Sequence, residues 1–157
     1  MTIKEFEKLN WEHDCSKTKL PKDYVPVTKF NTATANGLTK AIVTYINLIG
    51  GQAERISTTG RMLDTRKAVT NVLGQRGLIG SQTYIPGTST KGSADISSII
   101  KSKKGVVIPW KIEVKMKDKQ SENQKIYEEQ IKKAGGEYSI VHNWDEFYSK
   151  YICLIES

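Results

Sequence analysis

Acidic and basic side chains alternate with apolar ones along Lys111-Ile112-Glu113-Val114-Lys115-Met116, and a lone acid, Asp95, opens the apolar run Ile96-Ser97-Ser98-Ile99-Ile100 upstream of it. In an extended chain residues i and i+2 share a face, so Ile112 and Val114 point one way while Glu113 and Lys115 project together on the other. Directly opposed side chains on neighbouring strands have Cβ atoms about 5 Å apart, and two carboxylates at that spacing repel unless a cation lies between them. Magnesium takes one or two protein carboxylates and fills the rest of its shell with water and substrate phosphate oxygens, so Asp95 and Glu113 supply the number it needs. Mg2+, with Mn2+ as a substitute, would polarise a phosphate ester there and acidify an attacking water. Lys115, two positions along, would orient that water or steady charge developing on phosphorus.

The elements around these residues decide whether they meet. The runs 94–101 and 106–116 flank Lys101-Ser102-Lys103-Lys104-Gly105 and predict a hairpin. A two-residue Lys103-Lys104 turn pairs Ser102 with Gly105 and sets Asp95 opposite Ile112; a three-residue turn, or a bulge at Pro109, sets Glu113 opposite Asp95. Pro109 cannot donate to a ladder and marks an edge or a bulge. Upstream, Leu38, Ile42, Tyr45, Ile46 and Ile49 predict a helix, with Asn36 offering an N-cap and Gly50-Gly51 the stop. A strand follows over 52–58. Ser121 opens a second helix, in which Tyr127, Ile131 and Ala134 share a face and Gly135-Gly136 closes it. A strand over 137–142 ends at His142, and Asn143 to Glu146 reads as a capping box before a helix with Trp144, Phe147, Tyr148 and Tyr151 on its apolar face. The order helix, strand, hairpin, helix, strand, helix makes an α/β (α+β) domain over 36–157, preceded by an N-terminal arm over 1–35 that carries Ile3, Phe6 and Leu9.

Residues 59–92 are glycine-rich and basic, with Asp64 as their one acid. They read either as an exposed excursion with a short helix over 62–73 or as a nucleic-acid clamp using Arg61, Arg66, Lys67, Arg76 and Lys91. A net charge of +7 makes contact with a polyanion plausible. Cys15 and Cys153 lack CxxC spacing, which predicts reduced thiols and a cytoplasmic setting, and the scarcity of histidine, with only His13 and His142, argues against a histidine-held zinc. No apolar run is long enough for a membrane span, and 1–10 lacks the pattern of a signal peptide.

Together, Ala94-Asp95, Glu113-Val114-Lys115 and the helix start Ser121-Glu122-Asn123-Gln124 resemble the motifs of the PD-(D/E)XK nucleases, in particular the small virus-type replication-repair (VRR-NUC) domains often carried by phages. The resemblance covers roughly 36–144. It implies a restriction-endonuclease-like core with a mixed sheet flanked by helices, Asp95 and Glu113 as metal ligands joined by the Val114 carbonyl, Lys115 as the catalytic lysine, and Gln124 facing the site. It also implies a Mg2+-dependent endonuclease acting on branched or structured DNA, like the Holliday-junction resolvases, in repair or recombination, and it allows a homodimer, whose two subunits cleavage of both strands would need. Three departures stand out. Ala94 replaces the motif proline, a basic insertion precedes Asp95, and the first helix lacks an acid, leaving Asn36 or Glu54 as substitutes.

Plainer readings accompany several of these residues. Ser121-x-x-Gln124 is also a capping box. Lys101, Lys103, Lys104, Lys117 and Lys119 fit a solvated hairpin tip and its flank. Tyr84, Tyr127, Trp110 and Trp144 fit core positions, and Glu54-Arg55 an internal ion pair. The rival function is a non-catalytic nucleic-acid-binding protein of nuclease-like fold serving phage replication or assembly.

Overall fold

Thr34, not Asn36, starts the helix on which the sheet is built: its hydroxyl accepts from the Gly37 N–H, while Asn36, two residues on, accepts a hydrogen bond from Arg55. In the computed structural model, which describes residues 1–57, 60–85, 87 and 90–157, the chain runs α1 (Ile3–Lys17), α2 (Ala35–Leu48), β1 (Gln52–Arg55), β2 (Arg61–Asp64), β3 (Lys67–Thr70), β4 (Arg76–Ile79), β5 (Gln82–Ile85), β6 (Ile96–Lys101), β7 (Val107–Val114), α3 (Glu122–Lys133), β8 (Glu137–Val141) and α4 (Trp144–Glu156). Two compact units divide it: Met1–Ile56 with Lys91–Ser157, and Ser57–Thr90.

The larger unit is a mixed α+β fold. Its sheet has the order β1-β6-β7-β8, antiparallel except for the parallel pair β7/β8 that α3 connects. Alternation dictates the faces. Ile96, Ser98 and Ile100 of β6 and Trp110, Ile112 and Val114 of β7 turn to one side, where they meet Leu38, Ala41, Ile42, Tyr45 and Ile46 of α2 and Trp144 and Phe147 of α4. Buried Ser98 is satisfied by donating to the Trp110 carbonyl at 2.7 Å. Trp110 stacks on Phe147 with centroids 5.7 Å apart, and its truncation to Ala would cost about 3–5 kcal/mol. The N-terminal segment contributes to the same core: Phe6 of α1 is fully buried between Phe30 and Trp144, and the Glu7 carboxylate accepts from the Phe30 N–H.

Pro109 sits in β7 opposite Ile99 without breaking the register, because β8 begins pairing only at Trp110 and leaves an open edge beside the proline. Asn143 caps α4 through the Glu146 N–H, but the Glu146 carboxylate serves the His142 N–H and ring instead of closing a box on Asn143. The Glu54-Arg55 ion pair does not form, since Arg55 is turned to Asn36. Among the described residues no helix is long and apolar enough to cross a membrane, and both cysteines are free.

The unit Ser57–Thr90 corrects the helix expected over 62–73. β2 pairs with β5 and β3 with β4 in one running register, so residues 61–85 form a long antiparallel hairpin that reverses at Asn71 to Gln75. Turn chemistry decides against the helix: the Asn71 side chain accepts the N–H groups of Leu73 and Gln75, and Gly74 takes a φ of 77° that closes the loop. Tyr84, expected in a core, is 60% exposed on this hairpin.

Candidate metal centre

The turn between β6 and β7 sets the register on which the site depends. The Ser102 N–H donates to the Val106 carbonyl and Lys101 pairs with Val107, leaving a three-residue loop of Lys103, Lys104 and Gly105. The two-residue alternative is thereby excluded. The ladder ends with Ile96 opposite Ile112, and one step further Asp95 stands opposite Glu113. Because the Asp95 carbonyl accepts from Ile56 on the β1 side, Asp95 and Glu113 form the kind of opposed pair that shares no backbone hydrogen bonds and whose side chains lie closest.

Each acid is oriented by the chain around it. The Asp95 Oδ2 accepts from the Val114 N–H at 2.9 Å, substituting for the next rung of the β6/β7 ladder. A strand residue presents its N–H and C=O to the same neighbour, so the Val114 carbonyl is set toward the Asp95 side as well. Glu113 is 3% exposed. Its Oε1 lies 3.1 Å from the Lys115 ammonium and accepts from the Gln124 amide, while its Oε2 is buried with no hydrogen-bond partner. Burial, and then the Asp95 charge, push the Glu113 carboxyl above its ordinary range; the Lys115 ammonium and the nearby Asp95 N–H, which is out of hydrogen-bonding geometry with Oε2, pull the other way without prevailing.

Gln124 fills both of the roles open to it. Its Oε1 accepts from the Ser121 N–H at 2.9 Å, completing the capping box of α3, and this leaves its NH2 group to donate to Glu113. Gly92 brings the strand leading to Asp95 against the same helix turn. It has a φ of 80°, and a Cβ there would fall 2.4 Å from the Asn123 carbonyl oxygen.

The residues gathered here are thus Asp95, Glu113, Val114, Lys115 and Gln124. Glu54 lies on the same sheet face, opposite Ser97 and so two residues along from Asp95, but among the described residues no group of three His, Cys, Asp or Glu side chains is assembled to hold a metal. Two side-chain oxygens plus a backbone carbonyl would leave several positions for water and phosphate, as magnesium prefers. The buried, unpartnered Oε2 of Glu113 is the feature a divalent cation fits: it costs free energy as it stands, and a cation is the partner its charge calls for.

Tyr138 was not singled out from the sequence. On β8 it pairs with Lys111, which places it on the Glu113 face; its hydroxyl is buried without a partner, and burial and then the Glu113 charge raise its pKa. Only the register of β7 against β8 could have pointed to it. Of the basic residues expected to meet nucleic acid, Lys91 is exposed in the turn before Gly92, and Arg61, Arg66, Lys67 and Arg76 are exposed on the hairpin unit. Arg66 differs from the others in being held by both oxygens of Asp64, at 3.0 and 2.8 Å, and its guanidinium holds that carboxyl far below the usual range.

No protein-family model, curated protein or solved structure matches the chain.

Proposed function

We propose that the protein is a metal-dependent endonuclease that hydrolyses DNA phosphodiester bonds. The observation that carries the reading is the Glu113 carboxylate, buried opposite Asp95 with Oε2 unpartnered and the Lys115 ammonium on Oε1. Asp95, Glu113 and the Val114 carbonyl would hold Mg2+ or Mn2+. When bound, the ion supplies Lewis-acid polarisation of the scissile phosphate and a water of lowered pKa. Lys115 contributes a fixed positive charge where negative charge develops on the phosphoryl oxygens. Gln124 keeps Oε1 of Glu113 engaged, so that Oε2 faces the ion. The resemblance to the VRR-NUC domains favours branched or structured DNA, a homodimer for two-strand cleavage, and work in repair or recombination; the free thiols fit a reducing cytoplasm.

The test is incubation of the purified protein with junction, flap, nicked and linear DNA in Mg2+, Mn2+ or EDTA. Cutting that needs the metal and is lost in Asp95→Ala and Lys115→Ala, with DNA binding kept, is the expected result. Intact DNA in every lane, with salt-sensitive binding, refutes the enzyme and leaves the non-catalytic nucleic-acid-binding protein. That second reading draws on the lack of a third grouped acid among the described residues.

A further inference from the structure

Among the described residues two hairpins reverse through three-residue loops closed by glycine, and their tip side chains differ in chemistry. With Val106 behind them 59% exposed, the side chains of the β6/β7 loop are Lys103 and Lys104, both exposed. Between β3 and β4 they are Val72 and Leu73, 103% and 79% exposed. Nothing in the turn asks for apolar residues there, since Asn71 and Gly74 alone close it. The loop is also held firmly. Asn71 exchanges backbone and side-chain hydrogen bonds with Gln75, and its Oδ1 takes two N–H groups, so the two apolar side chains project from a braced end.

The charge on the strands behind the tip selects the partner. Asp64 is the one acid between 57 and 90, and it is consumed by Arg66 and by Gln82. Arg61, Lys67 and Arg76 remain exposed with no acid beside them among the described residues, so the strands behind the tip carry uncompensated positive charge among exposed apolar side chains such as Leu78 and Ile79. Ten residues of strand on each side span roughly 30 Å, about one turn of duplex, and a two-stranded ribbon is narrow enough for a DNA groove. Apolar side chains presented on such an element enter between base steps, unstacking them and kinking the helix.

We propose that the hairpin over 61–85 is a DNA-distorting arm. Arg61, Lys67 and Arg76 hold phosphates along the groove, and Val72 and Leu73 wedge between bases at a flexible or branched point. The inference deepens the nuclease reading, on which it rests for the choice of DNA as the polymer, and supplies a physical source for preference toward distorted substrates: steps that already unstack easily cost less to open.

The experiment uses the full chain in EDTA with a four-way junction and with a linear duplex, each carrying 2-aminopurine at the branch or at a central TA step. Wild-type protein should raise the fluorescence of the probe. The double variants V72S/L73S and V72K/L73K should lose that rise and bind the junction about tenfold more weakly and no more tightly, respectively, while their thermal unfolding stays unchanged. The serine variant should keep the wild-type salt slope. Arg61, Lys67 and Arg76 changed together to Ala should flatten it by about three units. Wild-type fluorescence and affinity in both tip variants overturn the wedge. So does DNA binding untouched by the tip alongside tip-dependent binding to phosphatidylserine vesicles, which would make the polyanion a membrane. Cleavage is read separately in Mg2+: cutting without unstacking overturns the wedge and leaves the nuclease, whereas unstacking without cutting in any metal supports the wedge and refutes the nuclease.

Discussion

Replacing Glu113 by Gln should make the metal-free protein more stable while abolishing metal-dependent activity. The carboxylate is 3% exposed, faces Asp95 across the strand pair, and leaves Oε2 buried without a partner. A buried acceptor left unsatisfied costs about 1–3 kcal/mol. Against this stands the Lys115 contact at 3.1 Å, but the Lys115 side chain is 15% exposed and can extend to water once its partner is neutral. The glutamine keeps the shape: its carbonyl still accepts from Gln124, and its NH2 group, in the Oε2 position, has the Asp95 carboxylate across the strand pair as its acceptor. The balance favours the variant by about 1–2 kcal/mol at neutral pH, or roughly 2–6 °C in Tm for a chain of this size. The sign with pH follows from the raised carboxyl. The folded protein holds the Glu113 proton more tightly than the unfolded chain, so wild-type stability from this group is full at acid pH and falls as pH climbs through the raised value. The advantage of the variant should therefore be near zero below the ordinary glutamate range and reach its plateau toward pH 8. Adding 10 mM Mg2+ should then remove most or all of that advantage. At a Kd near 1 mM the ion would stabilise wild type by about 1.4 kcal/mol and the variant not at all. Differential scanning calorimetry across pH, with and without metal, measures all of this. A variant less stable than wild type at pH 8 in EDTA would show that Glu113 and Lys115 are a structural ion pair, and the metal reading would fall with it.

Asp95 holds a ladder position as well as a proposed ligand position, and two substitutions separate these. Asp95→Asn retains an oxygen for the Val114 N–H and should melt within about 2 °C of wild type while losing divalent-cation binding by titration calorimetry; Asp95→Ala also strands that N–H and should cost about 1–3 kcal/mol in urea unfolding. Similar stability of the two variants would mean that the Asp95 to Val114 hydrogen bond is not structural. Gly92→Ala combines a left-handed backbone with a collision against the Asn123 carbonyl, and should lose about 2 kcal/mol or more, with the amide resonances of 121–125 moving most. An unfolding midpoint equal to wild type would show that the Gly92 approach to α3 is not close.

Much of the larger unit was legible because its signals are local. The period of α2, the two apolar runs around a basic turn, and the Ser121 cap each name their element without help from distant residues. What the sequence left open were quantities fixed by one hydrogen bond. Whether Asp95 faced Glu113 or Ile112 hung on one loop residue, which the Ser102 N–H settles by reaching Val106. The first helix cap moved from Asn36 to Thr34 because Arg55, distant in sequence, claims Asn36. Residues 61–85 misled for a different reason. With no buried face to enforce it, their pattern of apolar residues carries little period information, and the decisive signal was the Asn71 to Gly74 loop chemistry. Tyr138 was illegible because its place on the Glu113 face follows from a parallel register that no short stretch of chain encodes.

The capping box and the proposed metal site are one device. A glutamine amide has distinct ends, and which end faces which neighbour is ordinarily a matter of context. At Gln124 the context is complete: the Ser121 N–H requires a carbonyl, so the NH2 group must turn to Glu113. The cap therefore fixes the direction of a donor at the site, and the donor occupies Oε1, leaving Oε2 as the oxygen without a partner. Gly92 presses the approach to Asp95 onto the same helix turn. The two carboxylates are thus each referenced to the start of α3 by contacts that do not involve a metal. Such preorganisation holds two like charges together before any cation arrives, and it is maintained by the fold at the cost of stability. Purely structural acids have no such need: each could pair with its own lysine on the surface, where neither burial nor repulsion would act against it.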